Sequence, residues 1–214
     1  MTTKTTTIAT IFAMVMLVFA LQGMTEAFAA KTYATFWIDP TNSYRGIKAT
    51  YEVEDLDNRS GWIAGPTWMV STLEADLVEI GWLDENLTRD AYYYCGSGGG
   101  IDDTWGTPST GDQTTYYIYD PGNDGNIDLI GGGDSCEVDI GSYTVFKLEV
   151  GIEDSNDSNS VADDLKENIS WYDGTWHLWD DDDGLENTYD TQSTAEADRC
   201  TADDDVEIGD TASC

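Results

Sequence analysis

Apolar residues in this chain alternate with polar ones over short stretches and almost nowhere recur at the three-and-four spacing of an amphipathic helix. That pattern confines the chain to β architectures. It predicts strands at residues 33–38, 46–54, 67–72, 76–83, 91–95, 114–119, 143–153, 169–172 and 175–179. Each is short, rich in β-branched or aromatic residues, and bounded by Gly, Pro, Asn or Asp. Pro121-Gly122, Asp124-Gly125 and Asp173-Gly174 fall between them as turns, the last joining two aromatic strands as a tight hairpin. Many short strands without helices imply an all-β sandwich, or jelly roll, of two antiparallel sheets. Residues 155–166 are expected to form a short helix or polar loop. Residues 181–214, acidic and poor in apolar residues, are expected to form an irregular, disulfide-tethered tail beyond a sandwich domain at 30–180.

Charge bears on partners more than on fold. The chain carries 42 Asp and Glu against nine Lys and Arg, a net charge of −33. Such a surface repels phosphate, so nucleic acid is excluded as a partner. Disorder is excluded too, because the chain is 40% hydrophobic, with eight Trp and twelve Tyr to bury. The one histidine, His177, cannot build a multi-histidine zinc site. Its strand position puts it on the opposite face from Trp176, on the sheet surface and away from any site.

The first 29 residues read as an export signal. Lys4 precedes an apolar run from Ile8 to Leu21, and Ala27-Phe28-Ala29 is an A-x-A cleavage site. The run is roughly 14 residues, short of the ~20 that span a bilayer. The mature chain is therefore expected to be secreted, with no membrane attachment after cleavage. Cys95, Cys136, Cys200 and Cys214 are even in number and lack CxxC spacing, which in an exported chain points to disulfides. Of three connectivities, Cys95–Cys136 with Cys200–Cys214 is expected, since the second pair closes a tail with little apolar content of its own. Sequons at Asn58, Asn86, Asn156 and Asn168 suit a glycosylated exterior.

Two strands carry the pattern that points to chemistry. In 76–83, Val78, Ile80 and Trp82 share one face, and Leu77, Glu79 and Gly81 the other. In 143–153, Phe146, Leu148, Val150 and Ile152 share one face, and Val145, Lys147, Glu149, Gly151 and Glu153 the other. Both strands set a glutamate, followed two residues later by a glycine, opposite an unbroken core face. A strand-interior glycine suits a place where something approaches the backbone closely. A carboxylate beside such a gap is what a substrate site on a sheet looks like.

Those same residues carry a resemblance. Val78-Glu79-Ile80-Gly81-Trp82 resembles the Gln-x-Gly segment of eqolisin-type glutamic peptidases, and more so its counterpart in the neprosin-like branch, where glutamate replaces the glutamine and Gly-Trp follows. Leu148-Glu149-Val150-Gly151-Ile152-Glu153-Asp154 is similar to the eqolisin segment that bears the catalytic glutamate at its first Glu. Tyr44-Arg45-Gly46 and Pro66-Thr67-Trp68-Met69-Val70 resemble that family's Trp-Gly-Gly opening and Thr-Ala-Trp-Val strand, in the same order. Met69-Val70-Ser71-Thr72 departs from the Gly-Ile-Asp-Gly that follows the tryptophan in eqolisins.

The resemblance implies a concanavalin-like sandwich with its active carboxylates on the concave face of one sheet. It implies a polypeptide substrate, no cofactor, Glu149 as general base and Glu79 as oxyanion partner. Trp68, Gly81, Gly151 and Glu153 would line the substrate site. Two carboxylates sharing a site cannot both ionise cheaply, so such a pair can hold one proton for use in catalysis.

Other features allow other readings. Clustered carboxylates in the 180–183 run before Gly184 and in the Asp120 to Asp128 loop suit weak calcium binding, though neither fits an EF-hand register. Tyr92, Tyr93, Tyr94, Trp171, Tyr172, Trp176 and Trp179 could stack sugars, with about half expected in the core. A non-catalytic module binding an extracellular glycan or surface is thus the alternative to a peptidase. Residues 96–100 read as a flexible glycine connection and not as a phosphate loop.

Overall fold

The computed structural model describes residues 32–38, 44–53, 62–71, 77–85, 91–98, 100–154, 164–179, 187–190, 196–199 and 206–209. The export signal, the acidic run at 180–183, Cys200, Cys214 and three of the sequons (Asn58, Asn86 and Asn156) lie outside them.

The described residues form strands and no helix, arranged as an all-β sandwich of two antiparallel sheets, as the alternation predicts. In chain order the strands are β1 Thr32–Ile38, β2 Gly46–Glu52, β3 Trp62–Ser71, β4 Leu77–Glu85, β5 Tyr92–Ser97, β6 Gly100–Trp105, β7 Gln113–Tyr119, β8 Asn126–Gly131, β9 Asp134–Asp139, β10 Val145–Asp154, β11 Asp164–Tyr172, β12 Trp176–Leu178, β13 Asn187–Asp190, β14 Glu196–Arg199 and β15 Val206–Gly209. The first sheet runs β13-β1-β10-β3-β4-β5-β6, and the second β14-β15-β11-β2-β7-β8-β9, with β12 paired to β11.

The core is made by the alternation. Val78, Ile80 and Trp82 of β4 and Leu148, Val150 and Ile152 of β10 are fully buried, facing Ile47, Tyr51, Tyr116 and Ile118 of the second sheet. Tyr51 ties the sheets together as well as filling space. Its hydroxyl donates to the Gly65 carbonyl at 2.6 Å and lies 3.2 Å from the Thr67 hydroxyl. Cys95 of β5 bonds to Cys136 of β9, so one expected disulfide crosses from sheet to sheet.

Several expectations are corrected. Strand β3 starts at Trp62, not Thr67, and passes through Pro66, which sequence reasoning takes as a stop. Proline has no N–H to donate. The β10 ladder accordingly pairs Val150 with Thr67, skips Pro66 and Gly65, and resumes in register at Glu153 and Ala64. Val145 is buried in the core instead of sharing a face with Glu149, because a bulge between Val145 and Lys147 shifts the phase. Strand β11 begins at Asp164, well before Ile169. A bulge between Glu167 and Ser170, with Asn168 at φ 55°, hides the alternation, and it leaves Asn168 exposed while Ile169 and Ser170 of the same sequon are buried. Of the stretch expected as a flexible connection, Gly96 and Ser97 belong to β5 and Gly100 to β6, with Ser97 paired to Gly100 and Gly98 at φ 59°. Residues 181–214 are not simply irregular, since β13 extends the first sheet and β14 and β15 the second.

Burial also makes an alkaline-stability prediction. The Tyr94 phenol is pushed well above its ordinary range, first by burial and then by Glu79 and Glu153. Tyr143 is raised by burial and by Asp120, whose Oδ2 accepts its hydroxyl at 3.0 Å. A phenol raised in the folded state holds its proton where the unfolded chain has lost it. Stability is therefore flat below about pH 10 and falls above it, by roughly 1.4 kcal/mol per pH unit for Tyr94. The half-exposed Tyr143 adds less, because solvent screens it. Urea unfolding from pH 8 to 11.5 should show this loss, and Tyr143→Phe should make it shallower.

Candidate active site

The two glutamates singled out by the sequence lie on one face of one sheet. Glu149 of β10 pairs across with Trp68 of β3, and Trp68 with Glu79 of β4. The row extends to Trp37 on β1 and Gly96 on β5. Glu149 and Glu79 thus flank one tryptophan, with Cα atoms two strand spacings apart, roughly 10 Å. This face is turned away from the sandwich core, as period-two alternation requires once Val78, Ile80, Leu148 and Val150 face inward.

These carboxylates are not a solvated coat. Glu79 is 7% exposed, Glu149 6% and Glu153 5%, with Trp68 between them at 4%. Burying a carboxylate is costly unless it is paired or hydrogen-bonded, so each must have partners. The Trp68 indole N–H donates to Glu79 Oε2 at 3.0 Å. Lys147, two residues from Glu149 on the same strand, sets its ammonium 2.5 Å from Glu149 Oε2. The two glutamates therefore sit in chemically different surroundings, one beside an indole N–H and the other beside an ammonium. The charges of Glu79 and Glu153 both act on the Tyr94 phenol, adding to the effect of its burial.

Further along this face, Ala64, Leu83, Tyr92 and Tyr94 form a second buried apolar cluster, with Trp62 packed against it. Leu83 follows Glu79 by four residues on the same side of β4, about 13 Å away. The carboxylate row thus continues into a buried apolar cluster on the same face of the sheet.

Trp68, expected to line the substrate site, lies in the row as a hydrogen-bond donor to Glu79. Gly151 and Glu153 lie on the same strand face as Glu149, with Gly151 paired to Thr35 of β1. Gly81 has a different reason for being glycine. A Cβ there would lie 2.2 Å from the Gly65 carbonyl oxygen and 2.8 Å from Pro66 Cα, so the glycine admits the proline on the neighbouring strand. Sequence reasoning attached no role to Lys147. Its signal was the spacing of two from Glu149 on one strand face, outweighed by the habit of reading a strand lysine as surface.

The Asp120 loop is organised by hydrogen bonds of its own. Asp120 is fully buried and accepts the N–H groups of Asp124 and Gly125, at 3.3 and 2.9 Å, and the Tyr143 hydroxyl. Three protein donors thus hold the Asp120 carboxylate. Among the described residues, no three His, Cys, Asp or Glu side chains group to hold a metal. His177 is exposed, stacked on Trp171 at 4.1 Å and 3.1 Å from Asp173 Oδ1, on the other sheet from the glutamate row.

No protein-family model and no curated protein matches the sequence. Solved structures match the fold. Scytalido-glutamic peptidase, crystallised with a peptide-based transition-state analog, superposes with a TM-score of 0.59 at 13% identity, covering 85% of this chain and 98% of that one. SCP-B, a member of the Eqolisin family in complex with the tripeptide Ala-Ile-His, gives 0.60 at 11% identity, covering 85% and 99%. At such identities the likeness is one of fold, and the chain has the β-sandwich fold of the glutamic peptidases.

Proposed function

We propose that this protein is a secreted glutamic-type endopeptidase in which Glu149 and Glu79 act on water and a peptide carbonyl. The observation that carries this reading is the buried row Glu149–Trp68–Glu79 on adjacent strands of a peptidase-like sandwich. A chain with 42 acidic residues has no structural need to bury glutamates side by side, and groups so placed are functional candidates.

In this reading, ionised Glu149 takes a proton from water as its oxygen attacks the peptide carbonyl. Protonated Glu79, held by the Trp68 N–H, donates a hydrogen bond to the oxyanion that develops. The tetrahedral intermediate collapses as the proton gained by Glu149 passes to the amide nitrogen. The C–N bond breaks, and one carboxylic acid and one amine leave. Lys147 is a positioning residue that keeps Glu149 charged and aimed. The Cys95–Cys136 bridge suits the oxidising route of an exported protein, and the Asn168 side of its sequon is exposed.

The reading is tested by digesting casein from pH 3 to 7 with the mature protein and with Glu149→Gln. Cleavage by the first and not the second is expected. Equal cleavage by both would remove Glu149 from the mechanism.

A further inference from the structure

The outward face of the second sheet, behind the core from the glutamate row, carries aromatic residues that the peptidase reading does not use. One cross-strand row runs Leu178, Ser170, Lys48, Tyr117 and Ile130 over β12, β11, β2, β7 and β8. Beside it, Trp176 pairs with Tyr172, and Tyr119 with Asp128. Gly46 of β2 stands opposite Tyr119, where a Cβ would come within 2.6 Å of the tyrosine's own Cβ. With no side chain there, Tyr119 and Tyr172 meet over β2 at 5.5 Å. Trp176 lies 5.0 Å from Tyr172, 5.7 Å from Tyr119 and 5.8 Å from Tyr117, so the four rings form one continuous, half-buried surface.

We propose that this face binds an uncharged polysaccharide. Three observations select that ligand. The aromatic surface is bordered by exposed apolar groups, with Leu178 58% and Ile130 38% exposed, so apolar area is left open to solvent. Beside Ile130 it runs into a depression of about 350 Å³ lined also by Asp128, Ser135 and Glu137, whose oxygens can accept sugar hydroxyls. A sugar ring presents C–H groups on its faces and hydroxyls at its rim, and so meets both surfaces at once. Charge then excludes the competitors. Carboxylates in the depression repel an anionic glycan, and a net charge of −33 opposes pairing with a second copy or an anionic membrane. Lys48 lies over Trp176 at 5.1 Å and Arg45 over Tyr172 at 5.4 Å, cation–ring contacts that hold the rings in place.

The site stands on the opposite sheet from Glu149 and goes beyond the peptidase reading, so either can fail alone. Native-gel affinity electrophoresis with hydroxyethylcellulose, mannan or arabinoxylan, and with polygalacturonate as the anionic control, tests it. At least one neutral polymer should retard the protein. Trp176→Ala should weaken that retardation roughly tenfold or more, as loss of one stacking ring implies. Leu178→Asp, a surface change that leaves folding intact, should weaken it as well, and Glu149→Gln should leave it unchanged. Retardation by polygalacturonate alone, or by no polymer, would overturn the proposal. So would retardation indifferent to both face variants, or sedimentation showing a dimer that Leu178→Asp dissociates.

Discussion

Replacing Glu149 by glutamine should lower kcat/KM for peptide hydrolysis roughly a thousandfold or more, the scale on which a positioned general base acts. Glutamine keeps the size of the side chain and its place between Lys147 and Trp68, but it cannot take a proton from water. Structural damage should be small. The change removes the buried charge together with its ion pair, leaves a neutral amide of the same shape, and frees a lysine that is 24% exposed and can turn to solvent. An unchanged thermal midpoint with activity lost is therefore the expected pair of results. A large drop in stability with activity kept would mark Glu149 as a structural residue.

The second large effect concerns stability. The Cys95–Cys136 bridge spans 41 residues and joins β5 of one sheet to β9 of the other. Closing a loop of that length in the unfolded chain is worth roughly 4 kcal/mol in the chain-entropy description. The bridge also joins two strands near the end of each sheet's order, where fewer neighbours hold them. Replacing both cysteines by alanine should lower the unfolding free energy by about 3 to 4 kcal/mol, a large fraction of what a domain this size possesses. Denaturant titration of the oxidised protein and the double variant measures it. A loss under about 1 kcal/mol would mean that the sheets are held by the core alone.

The faces of β4 and β10 could be read from alternation because nothing interrupts it there. Val78, Ile80 and Trp82, and Leu148, Val150 and Ile152, fall in the core as the period of two requires. Reading failed where the period was masked. In β8 and β9 the outward positions hold Asp128, Glu137 and Asp139, and acids between apolar residues look like loop. In β11 a bulge at Asn168 breaks the count, and in β3 a proline stands inside a strand whose next-door glycine makes room for it. The candidate site was legible as two separate carboxylates on outward faces. Alternation did not show their common row, because β10 lies beside β3 only through a connection that single-sequence patterns cannot resolve; the family resemblance alone implied one shared face. The Trp68 bond to Glu79 and the Lys147 pair are consequences of that row, and so appear only once the sheet order is known.

The division of labour between the two glutamates makes the sharpest claim. If Glu79 works as a protonated hydrogen-bond donor, glutamine can replace it. An amide oxygen can accept the Trp68 N–H while the amide nitrogen donates to the oxyanion. If Glu149 works as a base, glutamine cannot replace it. The decisive measurement is kcat/KM on one peptide substrate, from pH 3 to 7, for the wild type, Glu79→Gln and Glu149→Gln side by side. The account predicts that Glu79→Gln stays within about tenfold of wild type, with Glu149→Gln roughly a thousandfold down. Equal activity in Glu149→Gln and wild type, or an intact Glu149→Gln beside a dead Glu79→Gln, would contradict it.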